Sequence, residues 1–303
     1  RISRLEAGGA RFDVLHFHRQ ATAYASLDRM RRTPSIVSID CTQRCVLDAA
    51  STAFEQRTYG LNVRRDGAIL RAARLIVATS QWAADSVRRE YPDCTTDIVV
   101  LPNPVMLEVF DPGWVELRHA AALDTPTHRP RVLFMGGDFP RKGGPELLQV
   151  WREGGFADRA RLDLVTSWPL EPAALPHGVT IYPKVAAYSD VWRRLWRDAE
   201  VFVLPTKDEA FGLVFQEAGA AGLPTIGTGI NAVPEIVRDG ETGMLVAPGD
   251  RAALGQALDR LLASPELRRD MGRAAREHIE RTADADRYRD RLVDAIHRVA
   301  PGS

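Results

Sequence analysis

The chain has 303 residues, 45% of them hydrophobic and 26% charged, an ordinary globular composition with enough length for two separate cores. Its 40 lysines and arginines equal its 40 aspartates and glutamates, and this zero net charge argues against a nucleic-acid partner, which selects for a basic excess. No run approaches the roughly eighteen consecutive apolar residues that a membrane-spanning helix needs.

Three cysteines and the lack of a basic-apolar leader point to a reduced, cytoplasmic setting. The chain opens at Arg1 without a methionine, and the expectation is that it is a fragment. Only Lys142, Lys184 and Lys207 are lysine.

In chain order, strands are expected at residues 13–18 (DVLHFH), 35–39 (SIVSI), 75–79 (LIVAT) and 97–101 (DIVVL). After Pro130 they resume with RVLFM from Arg131, RLDLV from Arg161, GVTIY from Gly178, EVFVLP from Glu200, PTIG from Pro224 and GMLV from Gly243. Most are continuous apolar runs, the mark of parallel strands covered on both faces. Helical spacing lies between them. Trp192, Leu195, Trp196 and Ala199 share one face, as do Leu254, Leu258, Leu261 and Leu262, with Asp250 at the N-cap position of the latter helix. The fold class expected is α/β, with two Rossmann-like doubly wound lobes and an incomplete N-terminal one. The polar, proline-punctuated stretch 124–130 divides them, giving 1–125 for the first lobe and 126–303 for the second.

The chemistry is concentrated in Asp208-Glu-Ala-Phe-Gly-Leu-Val-Phe-Gln-Glu217, just after the buried strand EVFVLP, where open α/β sheets bind ligands. Gly212 lets the backbone pass close to a ligand. The N–H groups of Phe211, Gly212, Leu213 and Val214 are then offered at a helix start, suited to a phosphate. Glu209 precedes that helix and Glu217 lies inside it. As acceptor-only groups they suit hydroxylated rings at either end of a diphosphate, although two solvated glutamates on a surface helix are the plain alternative.

This Glu-x7-Glu block resembles the signature of the retaining glycosyltransferases of family 4, which have the GT-B fold. The resemblance covers most of the chain in order, through PSIVSID, RLIVATSQWAADSVRREY, DIVVLPNPV, RVLFMGGDFPRKGG and GETGMLVAPGD. It implies a nucleoside-diphosphate sugar as donor, no metal and no other cofactor. It implies that Glu209 contacts hydroxyls of the donor sugar and Glu217 those of the ribose. The expected activity is transfer of a hexose to an acceptor hydroxyl, with retention, in carbohydrate biosynthesis.

The second site element is 136–144 (GGDFPRKGG), after RVLFM and before Pro145, which suits the start of a helix. Gly136 and Gly137 leave room for the donor, and Arg141 and Lys142 are placed to neutralise its diphosphate. The resemblance assigns that duty to the lysine of the RKG triplet, here Lys142, and to an arginine whose usual place Gly137 takes, so that Arg141 substitutes. A turn with two exposed cations is the plain alternative. The stretch 182–185 (YPKV), with Lys184 and Val185, resembles the part of the family beside the nucleotide base.

On the acceptor side, Asp40 ends the strand SIVSI, where many relatives have a histidine. It either orients an acceptor hydroxyl or caps the next helix. His16, His18, Cys41 and Cys45 match no common zinc spacing. The pairs Arg31-Arg32, Arg64-Arg65 and Arg88-Arg89 read as solvated helix faces, with a weak peripheral membrane contact of the first lobe left open. The acceptor class is open among glycan, lipid and small molecule. Nothing before Asp13 resembles the family's opening strand and glycine-rich loop. A non-catalytic nucleotide-sugar-binding protein and a GT-B-fold sugar-nucleotide epimerase are therefore the rival readings. A dinucleotide dehydrogenase is disfavoured, because no Gly-x-Gly-x-x-Gly follows any strand.

Overall fold

The computed structural model describes residues 4–5, 8–48, 52–125 and 127–300. Every expected strand is present: β1 (Leu15–Phe17), β2 (Ser35–Ile39), β3 (Leu75–Ala78), β4 (Ile98–Val100), β5 (Arg131–Met135), β6 (Arg161–Val165), β7 (Val179–Tyr182), β8 (Val201–Leu204), β9 (Thr225–Thr228) and β10 (Gly243–Val246). The longer helices are α1 (Ala53–Ala72), α2 (Gln81–Glu90), α3 (Trp114–Asp124), α4 (Gly144–Glu153), α5 (Asp190–Asp198), α6 (Leu213–Ala220), α7 (Arg251–Ala263), α8 (Pro265–Thr282) and α9 (Ala285–Val299). Several start on a side-chain cap that satisfies an orphan N–H. Ser80 caps α2, Ser189 caps α5, Asp250 caps α7 and Ser264 caps α8. The face predicted for α5 is buried, with Trp192, Leu195, Trp196 and Ala199 all in the core.

The chain divides into two compact units, Arg1–Asn103 with Asp286–Ser303, and Pro104–Ala285. The first holds a parallel sheet in the order β1-β2-β3-β4. Alternation along its strands sends side chains to opposite faces. Val37, Ile39, Ile76 and Ala78 join Ile69 and Leu70 of α1 and Ala84 and Val87 of α2 in one core. Ile36, Leu75 and Val77 meet Ala295 and Val299 of α9 in the other. The second unit holds a parallel sheet in the order β10-β9-β8-β5-β6-β7. Outward from its centre the chain runs through β5, β6 and β7 on one side and β8, β9 and β10 on the other, which is the Rossmann arrangement. Both units are therefore Rossmann-like α/β.

The units part from the expected 1–125 and 126–303 division in two places; residue 126 itself lies outside the described residues. Helix α3 belongs to the second unit, where it packs on α8. Its Arg118 is only 9% exposed and donates to the carbonyls of Arg197 (3.2 Å), Ala221 (2.8 Å) and Gly222 (2.8 Å). Burial pulls the Arg118 guanidinium down to about 10, so it is still charged at neutral pH. Helix α9 belongs to the first unit, because Ala295 and Val299 close the second face of that sheet. Among the described residues no helix is long and apolar enough to cross a membrane.

Candidate active site

The second sheet reverses its order between β5 and β8, the switch point where such sheets bind ligands at the carboxyl ends of their strands. Both segments singled out in the sequence hang from these two strands. Residues 136–144 follow β5, and residues 205–212 follow β8 and lead into α6.

Side chains from the two loops meet. Lys142 Nζ donates to Glu209 Oε2, and each side chain is only 13% exposed. Arg141 donates from Nε to Asp138 Oδ2 (3.0 Å) and from its guanidinium tip to the Asp208 carbonyl (2.7 Å), so it braces one loop against the other. Backbone bonds reinforce the brace, with Lys207 N–H donating to the Arg141 carbonyl at 2.8 Å. The approach is close enough to demand glycine. Gly143 has φ 77°, and a Cβ there would lie 2.0 Å from the Pro205 carbonyl oxygen. Gly136 passes directly beneath Lys142, whose Cγ would lie 3.0 Å from a Gly136 Cβ, whereas Gly137 is exposed. Pro145 occupies the first turn of α4, as its position in the sequence predicts.

Helix α6 starts at Gly212, whose φ of 90° again requires glycine; a Cβ there would meet Phe215 at 2.6 Å and the Glu209 Cγ at 3.0 Å. Phe211 precedes the helix with its ring buried, and Phe215 N–H is bonded to the Gly212 carbonyl. Leu213 and Val214 thus supply the first-turn N–H groups, at the positive end of the helix dipole. Glu217 lies one turn further on and is mostly buried. With no counter-charge beside it, burial alone pushes its carboxyl up to about 7.

That shift carries a stability signature. The folded carboxyl holds a proton more tightly than the unfolded one, so the neutral form favours folding and its contribution disappears as pH rises through about 7. Glu217→Gln, neutral at every pH, is therefore expected to match the wild type at about pH 4, below the ordinary carboxyl value, and to be more stable at pH 8 by about 1–2 kcal/mol, a figure reduced for partial solvent access. Thermal melts at the two pH values measure it, and a gap that does not widen with pH would contradict the assignment.

Lys207 pairs with Glu146 of α4 at 2.7 Å. Lys184 is exposed and Val185 half-buried, just beyond β7 at the same edge of the sheet. Asp40, in the first unit, is half-exposed at the end of β2, 3.7 Å from Arg19. Thr42, not Asp40, accepts the Cys45 N–H at the start of the following helix Gln43–Asp48, so the capping alternative falls to its neighbour. His16 bonds Ser38 Oγ at 2.8 Å and stacks edge-on with His18. Among the described residues no group of three or more His, Cys, Asp or Glu is arranged to hold a metal ion.

Two residues at the site were not singled out in the sequence, although one of them, Asn231, lies in the stretch 228–235 that the sequence places as a mainly structural loop at the same edge. Asn231 Nδ2 donates to the Glu209 carbonyl at 3.0 Å, and Asn231 takes a positive φ of 50°. Thr206 Oγ1 donates to the Asp208 carbonyl at 2.8 Å, while its own carbonyl accepts from Thr228 Oγ1 at 2.6 Å. Together they fix the backbone on both sides of Asp208-Glu209. An asparagine just past the end of a strand is the signal that marks the first of them, since asparagine tolerates the left-handed region.

Comparison with known proteins bears on this geometry. Residues 1–109 match the family profile described as Glycosyltransferase Family 4, and residues 170–278 that described as Glycosyl transferases group 1. The chain is 30% identical over 291 residues to a D-inositol 3-phosphate glycosyltransferase of Arthrobacter, covering 89% of this chain and 67% of that protein. The chain belongs to glycosyltransferase family 4. Among solved structures it is similar to sucrose-phosphate synthase from Thermosynechococcus elongatus, with a TM-score of 0.75 and 21% identity, covering 95% of this chain and 73% of that one. It is also similar to Anabaena HepE in complex with UDP-glucose, with a TM-score of 0.70 and 15% identity, covering 94% of this chain and 78% of that one. These likenesses fix the GT-B fold. The chain spans about two thirds of the length of the curated family 4 relatives it matches.

Proposed function

We propose that this family 4 chain transfers a hexose from a nucleoside-diphosphate sugar to an acceptor hydroxyl, with retention at the anomeric carbon. The single observation that carries the reading is the Lys142–Glu209 pair at the switch point, beside the start of α6. A cation, a carboxylate and a helix N-terminus at one strand edge match the three parts of a sugar diphosphate: its charge, its hydroxyls and its phosphate oxygens.

In this reading the donor separates the pair. Lys142, Arg141 and the N–H groups of Leu213 and Val214 meet the diphosphate, whose charge is thereby answered by the protein rather than by a metal. Glu209 accepts from the sugar hydroxyls, Glu217 from those of the ribose, and Gly136 and Gly137 let the donor approach the backbone. The bond between the anomeric carbon and the phosphate oxygen breaks, and the acceptor oxygen bonds to the same face of that carbon. The acceptor proton passes to the departing diphosphate. Cations held in place stabilise the charge that grows on the leaving group. Lys184 and Val185 lie on the nucleoside side. Asp40 orients the acceptor hydroxyl. HepE is described in complex with UDP-glucose, and the curated relatives act on D-inositol 3-phosphate, so UDP-sugars and phosphorylated polyols head the candidates.

The test is a thermal-shift screen of UDP-, GDP- and ADP-sugars, since a ligand that binds only the folded state raises its melting point. A donor at a hundred times its Kd is expected to add about 2.7 kcal/mol of stability. Turnover with polyol, glycan and lipid acceptors, followed by assignment of the product anomer, then decides the stereochemistry. If no nucleotide sugar shifts the melt, the donor assignment fails; an inverted anomer removes the retaining mechanism.

A further inference from the structure

The same edge of the second sheet carries an aromatic side chain that the donor assignment leaves unused. Of the six tryptophans, Trp151, Trp192 and Trp196 are buried and Trp82 and Trp114 half-buried, but Trp168 is 44% exposed. It is the only tryptophan among the exposed large hydrophobics of the described residues. Leaving so much indole in water forgoes apolar burial, and a single such residue on an ordinary turn would need no explanation. Its position and its bracing set it apart.

Trp168 lies three residues beyond the end of β6, the strand next to β5 on the side away from β8. The turn that bears it is tied to the site. Gly136 N–H donates to the Val165 carbonyl at 2.9 Å, and Thr166 N–H donates to the Tyr182 carbonyl at 3.3 Å. Thr166 Oγ1 lies 3.4 Å from the Gly137 carbonyl and also accepts the Trp168 N–H at 3.2 Å. Ser167 Oγ is the one atom near an added Gly137 Cβ, at 3.7 Å. One bare glycine therefore lies under Lys142, the next lies beside Ser167, and the indole follows on a fixed turn. An anion at Lys142 and a planar group at Trp168 would be linked across backbone that presents no side chain.

We propose that Trp168 is the stacking platform for the nucleobase of the donor, and so a specificity-determining residue. The inference rests on the donor reading above and adds which side chain takes the base. Nucleobases offer a π-face to any aromatic ring, and a tryptophan has only two side-chain torsions to fix, so an exposed indole on a braced turn beside a phosphate site meets a base at modest entropic cost. Stacking tolerates every base. Discrimination among them then falls to polar groups on the turns after β6 and β7, where Ser167 and Lys184 are both exposed.

The experiment measures binding of UDP, GDP, ADP and inorganic pyrophosphate to the full chain by calorimetry, for wild type, Trp168→Ala and Trp168→Phe. For whichever nucleotide the wild type binds, Trp168→Ala is expected to raise Kd by about 5- to 150-fold, the range seen when a stacked aromatic is removed. Pyrophosphate affinity is expected to stay within about twofold, and Trp168→Phe to restore most of the nucleotide affinity. Nucleotide should also quench tryptophan emission in the wild type and do so far less in Trp168→Phe. An exposed side chain makes the variants safe to fold, and matching melts check it. Equal nucleotide Kd in wild type and Trp168→Ala overturns the platform and leaves the donor reading standing. Equal losses for nucleotide and pyrophosphate also overturn it, because they show a general effect on the loop. If the wild type binds none of the three nucleotides, the donor reading itself fails and the platform with it.

Discussion

Glu209→Ala is expected to lower the rate of glycosyl transfer by about two to three orders of magnitude while leaving the fold in place. The two halves of that expectation have separate grounds. The loop carrying Glu209 is held through its backbone: Asn231 grips the Glu209 carbonyl, while Arg141 and Thr206 grip that of Asp208. None of these bonds involves the Glu209 carboxylate, so truncating it leaves the loop's course unchanged, and its cost is that of leaving Lys142 without a counter-charge, about 1–3 kcal/mol or a melting point lower by about 2–10 °C. Among the described residues the carboxylate is partnered by Lys142, and in the proposed reaction it holds the hydroxyls of the transferring sugar. Binding of the free nucleoside diphosphate, which lacks the transferring hexose, is therefore expected to be undiminished or tighter, since Lys142 no longer has a competitor. Steady-state transfer and calorimetry of the nucleoside diphosphate make the comparison. Transfer at the wild-type rate would remove Glu209 from the sugar subsite. A loss confined to nucleotide binding would move it to the other end of the donor.

Much of this was legible before any coordinates. The ten strands declare themselves because parallel strands buried on both faces must be apolar along their whole length, and here turn residues interrupt each run. The site loops declare themselves because a glycine, a cation pair and a Glu-x7-Glu block fall immediately after two such runs. What the sequence hid is non-local. An arginine in a helix ordinarily signals solvent, yet Arg118 is a core residue of α3, satisfied by three carbonyls that are distant in sequence, so α3 looked like the tail of the first unit. The amphipathic spacing of Leu292, Ala295, Ile296 and Val299 shows that α9 covers something. It does not show that the chain returns to the first sheet to do so. Asn231 was hidden for a similar reason, since its importance is a backbone conformation and a single bond to Glu209, neither of which residue type alone discloses.

The pairing of Lys142 with Glu209 raises the question whether the two are kept for stability or for chemistry, and a double-mutant cycle separates these. With side chains only 13% exposed, each single neutralisation leaves the other charge partly desolvated and uncompensated. Lys142→Met and Glu209→Gln are each expected to destabilise by about 1–3 kcal/mol. The double variant removes both charges and keeps the approximate volume, so its destabilisation should fall short of the sum by about 1–2 kcal/mol, the coupling of the pair. Lys142→Met keeps the aliphatic stem that rests on Gly136, so the loss reports on charge rather than on packing. Transfer should follow a different rule. Lys142→Met forfeits the cation nearest the leaving diphosphate and is expected to lose about two to three orders of magnitude in kcat. It should also weaken nucleoside-diphosphate binding by roughly tenfold or more, through loss of a charge-assisted contact. The double variant should regain that shortfall in stability but no activity, because neither the diphosphate nor the sugar hydroxyls regain a partner. Denaturant melts supply one cycle and steady-state rates the other. If activity returned together with stability in the double variant, the pair would be a structural clamp and the catalytic assignment would be wrong. If stability alone returns, the protein holds two reacting partners against each other until the donor takes both.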